Sequence, residues 1–244
     1  MLNNSENKKY QRQILIDGFG IKGQEKLKKA RVLIAGAGGL GSPISLYLAA
    51  AGVGFLRIVD YDDISLSNLN RQILYKEREI GEKKASIAKI RLNELNSDIK
   101  IDPVAEAITN ENILPLTRGC DLIIDAMDNF TARYLLNRAA IFHGIPFIYG
   151  GIHGMEGALT TIIPRETACL RCIIKEAPSP VSPIPVLGAL PGVIGSMQAM
   201  EAVKIITGIG ELLTDRLISF DGGNMRFTEI KITKDPNCPD CGTL

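Results

Sequence analysis

The sequence predicts a Rossmann-like α/β fold, with a mostly parallel sheet that continues into antiparallel strands. Up to about residue 150, short apolar runs alternate with helical patterns. Strands separated by helices favour right-handed crossovers and a parallel sheet with both faces covered. A glycine-rich turn joins the first of these strands to a helix. After residue 150 the rhythm changes to closely spaced strand-like segments, which indicates hairpins.

The individual elements follow from periodicity and from turn-forming residues. Strands are predicted at residues 31–35, 55–60, 99–104, 121–126, 146–149, 158–163, 216–220 and 225–233. Helices are predicted at residues 22–30, 40–51, 82–96, 131–143 and 192–207. The intervening residues 176–191 are rich in proline, so we expect a loop or a mobile crossing segment there.

Composition narrows the classes of partner. The chain has 244 residues, of which 45% are hydrophobic and 23% charged, as in a globular protein with a sizeable core. A net charge of +1 gives no electrostatic footprint for nucleic acid or for an anionic membrane, so we expect neither as a partner. The polar N-terminus has no apolar signal-peptide core, which predicts a cytoplasmic location.

The glycine-rich turn predicts a nucleotide site. Gly36, Gly38, Gly39 and Gly41 match G-x-G-x-x-G between a predicted strand and a predicted helix. Such glycines let the backbone approach phosphate, and the helix N-terminus favours its negative charge. Asp60 ends the second strand, where a carboxylate can accept hydrogen bonds from ribose hydroxyls. The turn alone does not name the nucleotide, because a nicotinamide dehydrogenase would use the same fingerprint and a purely packing turn would look alike.

Polar clusters at further strand ends favour ATP. Arg71 can clamp phosphate oxygens, and Asn68 can position a phosphate or a metal-bound water. Lys84 opens a predicted helix, where a cation is unfavourable unless it meets an anion. Asp128 and Asn129 follow the fourth strand, where a carboxylate can hold Mg²⁺ against triphosphate oxygens. Taken singly, Lys84 and Arg71 are equally compatible with solvated surface charges, and Asp128 with a helix N-cap. Taken together around one phosphate loop, these residues predict an active site.

These residues resemble the ThiF/MoeB/HesA family, the bacterial and archaeal relatives of ubiquitin-activating enzymes. The resemblance runs from Tyr10 to Cys241. Its carriers are residues 12–13, 36–41, 65–72, 128–129, 169–172, 191–201 and 238–241.

The resemblance implies one ThiF-type adenylation domain over residues 1–244, with a nucleotide-binding half at about 1–150 and a carrier-binding and zinc half at about 151–244. It implies a homodimer with ATP in each subunit. With ATP and Mg²⁺, it would adenylate the C-terminal glycine carboxylate of a small ubiquitin-like sulfur-carrier protein of the ThiS/MoaD type, ending in Gly-Gly, and release pyrophosphate. Such enzymes serve thiamine synthesis, molybdopterin synthesis and tRNA thiolation, and the sequence does not select among these pathways.

The resemblance also assigns residues. The family's nucleotide positions fall on Gly39, Asp60, Ser67, Asn68, Leu69, Asn70, Arg71, Lys84, Asp128 and Asn129. Arg12 matches an arginine that reaches the ATP of the partner subunit. Arg12, Arg71, Lys84 and Asp128 would be catalytic, because attack of a carboxylate on the α-phosphate brings two anions together and the cations and Mg²⁺ must offset that repulsion.

Two Cys-x-x-Cys pairs, Cys169/Cys172 and Cys238/Cys241, predict a small zinc-bound C-terminal region. Four thiolates leave no open coordination position, so the zinc would be structural. Redox-active pairs or reduced thiols would show the same spacing.

One departure from the family matters for mechanism. Many relatives carry a further cysteine in the crossing segment, but residues 176–188 contain none, and Cys120 precedes a buried strand. We therefore expect adenylation without an essential cysteine on this chain, sulfur from a separate donor and no rhodanese-like domain after Leu244. The missing cysteine keeps a peptide or small-molecule carboxylate open as the substrate. A nicotinamide-dependent oxidoreductase and a non-catalytic nucleotide-binding scaffold are also compatible with the glycine turn.

Overall fold

The protein is built around one eight-stranded mixed sheet. A computed structural model of the chain describes residues 1–179 and 183–242. The strands are β1 (Arg31–Ala35), β2 (Phe55–Val59), β3 (Lys100–Val104), β4 (Leu122–Asp125), β5 (Phe147–His153), β6 (Glu156–Ile162), β7 (Arg216–Asp221) and β8 (Arg226–Lys231). Their order across the sheet is β3-β2-β1-β4-β5-β6-β7-β8.

The strand directions confirm the predicted mixed architecture. From β3 to β5 every neighbouring pair is parallel, and from β5 to β8 every pair is antiparallel. The strand order reverses between β1 and β4, which opens a crevice at the carboxyl ends of the strands, the usual ligand position in such sheets. Pro103 lies in β3, which is an edge strand and therefore tolerates a residue without an N–H.

Helices cover the sheet. They are α1 (Asn4–Lys9), α2 (Gln11–Ile14), α3 (Gly20–Lys29), α4 (Gly41–Ala51), α5 (Lys84–Leu95), α6 (Ile113–Thr117), α7 (Phe130–His143), α8 (Leu170–Ile173) and α9 (Leu190–Thr207). Periodicity did not predict the short helices α1, α2, α6 and α8. None of the described helices is both long and apolar enough to cross a lipid bilayer.

The alternation of side chains along β1 divides the core into two clusters. Val32 and Ile34 pack on one face with α4 and α9, whereas Leu33 and Ala35 pack on the other with α7. Because both faces of the parallel strands are buried, these strands read as continuous apolar runs in the sequence.

The segment between α8 and α9 crosses the carboxyl-end edge of the sheet without forming a helix or strand in its described part. The N–H of Gly154 donates to the carbonyl of Pro185 at 2.7 Å, and the N–H of Leu187 donates back to the carbonyl of Gly154 at 2.9 Å. Residues 180–182 of the predicted loop lie outside the described residues. The helix predicted from residue 192 begins at Leu190, because Pro191 sits in its first turn, where no intrahelical N–H is needed.

Candidate nucleotide site and cysteine cluster

The glycine turn between β1 and α4 has the geometry of an anion cradle. Gly36 has φ +98°, and a Cβ on it would lie 2.5 Å from the carbonyl oxygen of Ala126, so only glycine fits. Among residues 1–179 and 183–242, the N–H groups of Gly38 and Gly39 meet no hydrogen-bond acceptor. They stand at the N-terminus of α4, which begins at Gly41. Free N–H groups at a helix N-terminus favour phosphate.

Asp60 links this turn to the loop after β2. Its carboxylate accepts the N–H of Ala37 at 2.7 Å and the N–H of Asp62 at 2.9 Å. Burial raises the pKa of the Asp60 carboxyl, whereas the positive charge of Lys84 and these two N–H donors oppose the rise. Each carboxylate oxygen has a second lone pair, so the group can serve the backbone and still accept from a ligand hydroxyl.

Lys84 is the first residue of α5 and is paired with a carboxylate, as expected for a cation at a helix N-terminus. The residue is only 4% exposed, and its ammonium lies 2.8 Å from a carboxylate oxygen of Asp62. A buried cation at a helix N-terminus is disfavoured twice, by desolvation and by the dipole, and the pairing with Asp62 offsets part of that cost. The sequence pattern did not single out Asp62, although its position two residues after Asp60 was the available signal.

The polar turn at residues 65–72, which follows β2, lies against the glycine turn. Arg71 donates to the carbonyl of Ser67 at 2.9 Å and to the side chain of Asn70 at 3.0 Å. A Cβ on Gly39 would lie 3.7 Å from Arg71 Cδ, so the arginine stem borders the turn. The side-chain amide of Asn68 accepts the N–H of Ser65 at 3.1 Å and thereby closes the polar turn on itself.

Gln72 borders the glycine turn; it lies within the residues 65–72 that carry the family resemblance, but the sequence pattern gave it no role of its own. It is buried, and its amide nitrogen lies beside Gly38, 3.4 Å from where a Cβ would be. Its side-chain carbonyl oxygen has no hydrogen-bond partner among the described residues. It therefore brings an uncommitted polar group to the glycine turn.

Asp128 and Asn129 lie exposed in the loop after β4. Asn129 accepts the N–H of Ala132 at 2.9 Å and is the N-cap of α7, so the capping role considered for Asp128 falls to its neighbour. The pKa of the exposed Tyr61 phenol is raised chiefly by the charge of Asp62, with Asp128 and Asp60 adding to it. The loops after β2 and β4 thus place their carboxylates in one electrostatic neighbourhood.

Arg12 stands apart from this group. It lies exposed on α2, and no hydrogen bond or ion pair of its side chain exists within residues 1–179 and 183–242. Its neighbour Gln13 anchors the helix by donating to the side chain of Gln24 at 2.8 Å and to the carbonyl of Ala51 at 3.1 Å. The helix α2 is therefore held in place, whereas the Arg12 side chain makes no polar contact with the described residues.

The four paired cysteines converge into one buried cluster. Their sulfur atoms all lie within 4.8 Å of one another. Cys169 Sγ is 3.9 Å from Cys172 Sγ and 3.6 Å from Cys238 Sγ, and Cys172 Sγ is 3.4 Å from Cys241 Sγ. Burial raises the pKa of Cys169 and raises that of Cys241 to about 11, so a cation is needed to hold these sulfurs as thiolates.

Asn137 of α7 joins the two arms of the cluster. Its side chain is fully buried, accepts the N–H of Leu170 at 2.9 Å and donates to the carboxylate of Asp240 at 2.8 Å. One amide therefore fixes the arm that carries Cys169 and Cys172 relative to the arm that carries Cys238 and Cys241.

The combination of free N–H donors, two cationic side chains and several carboxylates at one sheet edge suits a nucleotide phosphate chain with a divalent cation.

Comparison with known proteins is consistent with a nucleotide-binding site. The SAMP-activating enzyme E1 of Haloferax volcanii is 41% identical over 240 residues, covering 96% of this chain and 88% of that protein. The sulfur carrier protein adenylyltransferase of Thermus thermophilus is 39% identical over 245 residues, covering 96% and 90%.

Other matches extend the pattern. The adenylyltransferase and sulfurtransferase MOCS3 of Anopheles gambiae is 43% identical over 246 residues; the match covers 98% of this chain and 56% of that longer protein. Among solved structures, E. coli MccB with ATP superposes with a TM-score of 0.86 at 25% identity, covering 98% of this chain and 75% of that one. The profile described as the ThiF family matches residues 10–240, and the chain belongs to that family.

Proposed function

We propose that this protein uses ATP to adenylate the C-terminal glycine carboxylate of a small ubiquitin-like sulfur-carrier protein of the ThiS/MoaD type. The observation that carries the proposal is the glycine turn, which Arg71 borders and which lies at the same sheet edge as Lys84. Its N–H groups at Gly38 and Gly39 have no acceptor in the described part of the chain. The names of the relatives in Haloferax volcanii and Thermus thermophilus support the activity and the class of substrate. The solved structure of E. coli MccB with ATP supports the nucleotide.

In the proposed reaction a carboxylate oxygen attacks the α-phosphorus of ATP, the bond from that phosphorus to the bridging oxygen breaks, and pyrophosphate leaves with both electrons of that bond. The N–H groups of Gly38 and Gly39 would hold phosphate oxygens, and Asp60 would accept from the ribose. Arg71 and Lys84 would offset the repulsion between the two anions, with Lys84 exchanging Asp62 for a phosphate oxygen. Asp128 would hold Mg²⁺, which neutralises charge on the leaving pyrophosphate.

The remaining nucleotide contacts are proposed on the basis of the family pattern. The polar turn that contains Ser67, Asn68, Leu69 and Asn70 would border the phosphates, and Asn129 lies beside Asp128. Gly36 and Gly41 shape the turn that would hold the nucleotide, because a Cβ at either position would collide with backbone.

The assembly is part of the same proposal. We propose one adenylation domain over residues 1–244, because the nucleotide half at about 1–150 and the second half at about 151–244 share one continuous sheet. Arg12 is exposed and has no polar partner within residues 1–179 and 183–242, which supports a homodimer in which it completes the site of the other subunit. The reduced, buried thiols of the cluster suit the cytoplasm.

The cysteine cluster is proposed as a structural zinc site. Zinc–sulfur bonds of about 2.3 Å in a tetrahedron place the sulfurs about 3.8 Å apart, and the three close sulfur pairs measure 3.4, 3.6 and 3.9 Å. All four sulfurs are buried, so no coordination position is left for a substrate.

Two further points of chemistry follow from the missing cysteine in residues 176–188. Sulfur would reach the acyl-adenylate from a separate donor. The same observation supports a second candidate substrate, the carboxylate of a peptide or small molecule, since adenylation alone needs no covalent enzyme intermediate.

The test is ATP–pyrophosphate exchange with purified carrier proteins ending in Gly-Gly. A carrier truncated by its final glycine is the matched control. Exchange should require the intact carrier, and the truncated form should be silent. If the folded, zinc-loaded protein catalyses no exchange with any such carrier but does so with a metabolite or short peptide, the second candidate replaces the first.

A further inference from the structure

A buried charged pair lies directly beneath the loop that carries Asp128. Asp125 is the last residue of β4 and is fully buried, and Arg133 in the first turns of α7 is 6% exposed. The Nε of Arg133 is 3.5 Å from a carboxylate oxygen of Asp125. Two buried charges are costly compared with apolar side chains of the same volume, so a pair at this place calls for a reason beyond stability.

The two side chains hold the backbone of one residue, Met127, at both its N–H and its carbonyl. The carboxylate of Asp125 accepts the N–H of Met127 at 2.9 Å. The guanidinium of Arg133 donates to the carbonyl of Met127 at 3.2 Å from Nε and 2.6 Å from Nη2. The backbone at Met127 is thereby fixed in position and in orientation.

The pair is itself held rigidly. The guanidinium of Arg133 lies 5.1 Å from the ring centres of both Phe130 and Tyr149. The amide nitrogen of Gln198, from α9, donates to the carbonyl of Asp125 at 2.7 Å. Elements from both faces of the sheet therefore converge on this loop.

Asp128 directly follows Met127, whose backbone is held in this way, and Asn129 after it is fixed as the cap of α7. Asp128 is thus an exposed side chain on a short loop whose two flanking residues are immobilised. We infer that Asp125 and Arg133 are positioning residues that aim the carboxylate of Asp128 at the Mg²⁺ of bound nucleotide. This inference rests on the proposed function of the site, because it takes Asp128 as the metal-binding group. A shift of about 1 Å in a positioned group can cost on the order of a hundredfold in rate, so such an anchor has functional value.

The experiment measures ATP binding to the full-length protein by calorimetry, with Mg²⁺ and in magnesium-free buffer, and needs no carrier. Asp125→Asn keeps an oxygen that can accept the N–H of Met127 but removes the charge that holds Arg133. We expect about tenfold weaker binding with Mg²⁺, which is about 1.4 kcal/mol, and less than about a twofold change without it. In an Asp128→Ala background, Asp125→Asn should cause no further loss, because the residue it positions is gone.

The matched control is Asp102→Asn, which breaks another strand-borne Asp–Arg pair, the 2.8 Å contact between Asp102 and Arg57. It should leave ATP affinity unchanged in both buffers. The inference is overturned if Asp125→Asn weakens binding equally with and without Mg²⁺, or if it weakens binding by the same factor after Asp128 is removed. If the unsubstituted protein binds ATP with no dependence on Mg²⁺, the proposed metal role of Asp128 fails first, and the inference falls with it; that result differs visibly from both of the others.

Discussion

The nucleotide site and the cysteine cluster are built in opposite ways. The candidate nucleotide site collects groups from the loops after β1, β2 and β4, and several of them, including Asp128 and Asn129, are exposed. The cluster encloses all four thiols, which come from two segments packed on α7. An open site with hydrogen-bond donors available to a ligand suits binding and release. A closed site, in which four cysteines can fill every coordination position of a metal, suits a permanent structural role. Substitutions should therefore change turnover in the first region and folding in the second.

The largest effect is expected at the cluster. Cys172→Ser should abolish the binding of one zinc ion per chain and lower the free energy of unfolding by about 5 kcal/mol or more, because zinc bound to the folded state contributes its binding energy to folding. Metal analysis and urea unfolding measure this. Cys120→Ser is the matched control, since Cys120 is buried but lies outside the cluster, and it should keep its zinc. If a metal-free Cys172→Ser variant is as stable as the parent, the cysteine cluster does not contribute to folding and the proposed difference between the two regions is wrong.

Next in size is Asp128→Ala. We expect the rate of ATP–pyrophosphate exchange to fall at least about a hundredfold, as for loss of a group that stabilises transition-state charge. The melting temperature should stay unchanged, because the side chain is exposed. Asp17→Ala, at another exposed aspartate, is the control for rate. If Asp128→Ala lowers the melting temperature rather than the exchange rate, Asp128 has a structural role like that of the cysteine cluster.

Arg12→Ala should slow exchange about tenfold to a hundredfold through loss of one charge at the transition state. Mixing Arg12→Ala subunits with Asp128→Ala subunits gives the sharper result. If Arg12 acts across a dimer, half of a random mixture is hybrid and one site in each hybrid is intact, so about a quarter of full activity returns. Arg118→Ala, at an exposed arginine, should leave exchange unchanged. No recovery in the mixture would confine the site to a single subunit.

The smallest effect concerns the buried charge beneath the open site. Burial raises the pKa of Asp125 from 3.8 to about 6, with Arg133 opposing the rise. The folded protein therefore keeps this proton at pH values where the unfolded chain has lost it, and the stability contributed by Asp125 falls as pH rises through that window. As pH rises from about 5 to 7, the free energy of unfolding of Asp125→Asn should increase by about 1 kcal/mol relative to that of the parent.

Urea titrations of the two proteins at several pH values, without nucleotide or Mg²⁺, measure this difference. A difference that does not change with pH would mean that Arg133 holds the Asp125 carboxylate ionised throughout.

The sequence predicted the architecture well because the parallel strands are apolar on both faces and the glycine turn has a fixed position between a strand and a helix. It also predicted that Lys84 would need an anion. It did not identify Asp62 as that anion, because two carboxylates in one loop look alike until the backbone places them. The four cysteines were predicted to meet, and they do, since their spacing has few other interpretations.

Other features needed the folded structure. Asp125 and Arg133 read in the sequence as an ordinary strand end and an ordinary helix residue, because contacts between buried charges leave no periodic signal. Asn129, not Asp128, caps α7, since either residue satisfies the preference for a short polar side chain at a helix start. Short helices such as α2 have too few residues to show a period. The roles of the site residues in binding stay predictions.

The position of the cysteine pairs also bears on chain topology. Cys172 precedes the crossing segment, and Cys238 follows β8. A metal that joins them would close a ring of chain containing the crossing segment, α9, β7 and β8. For a ring of this size, closure removes conformational entropy from the unfolded chain worth about 4 kcal/mol. A chelator should accordingly lower the free energy of unfolding by about this amount. The helix α9 and strand β7 would keep their packing and pairing, whereas the crossing segment, whose Gly188 packs against the backbone of Asn70, would lose one of its anchors.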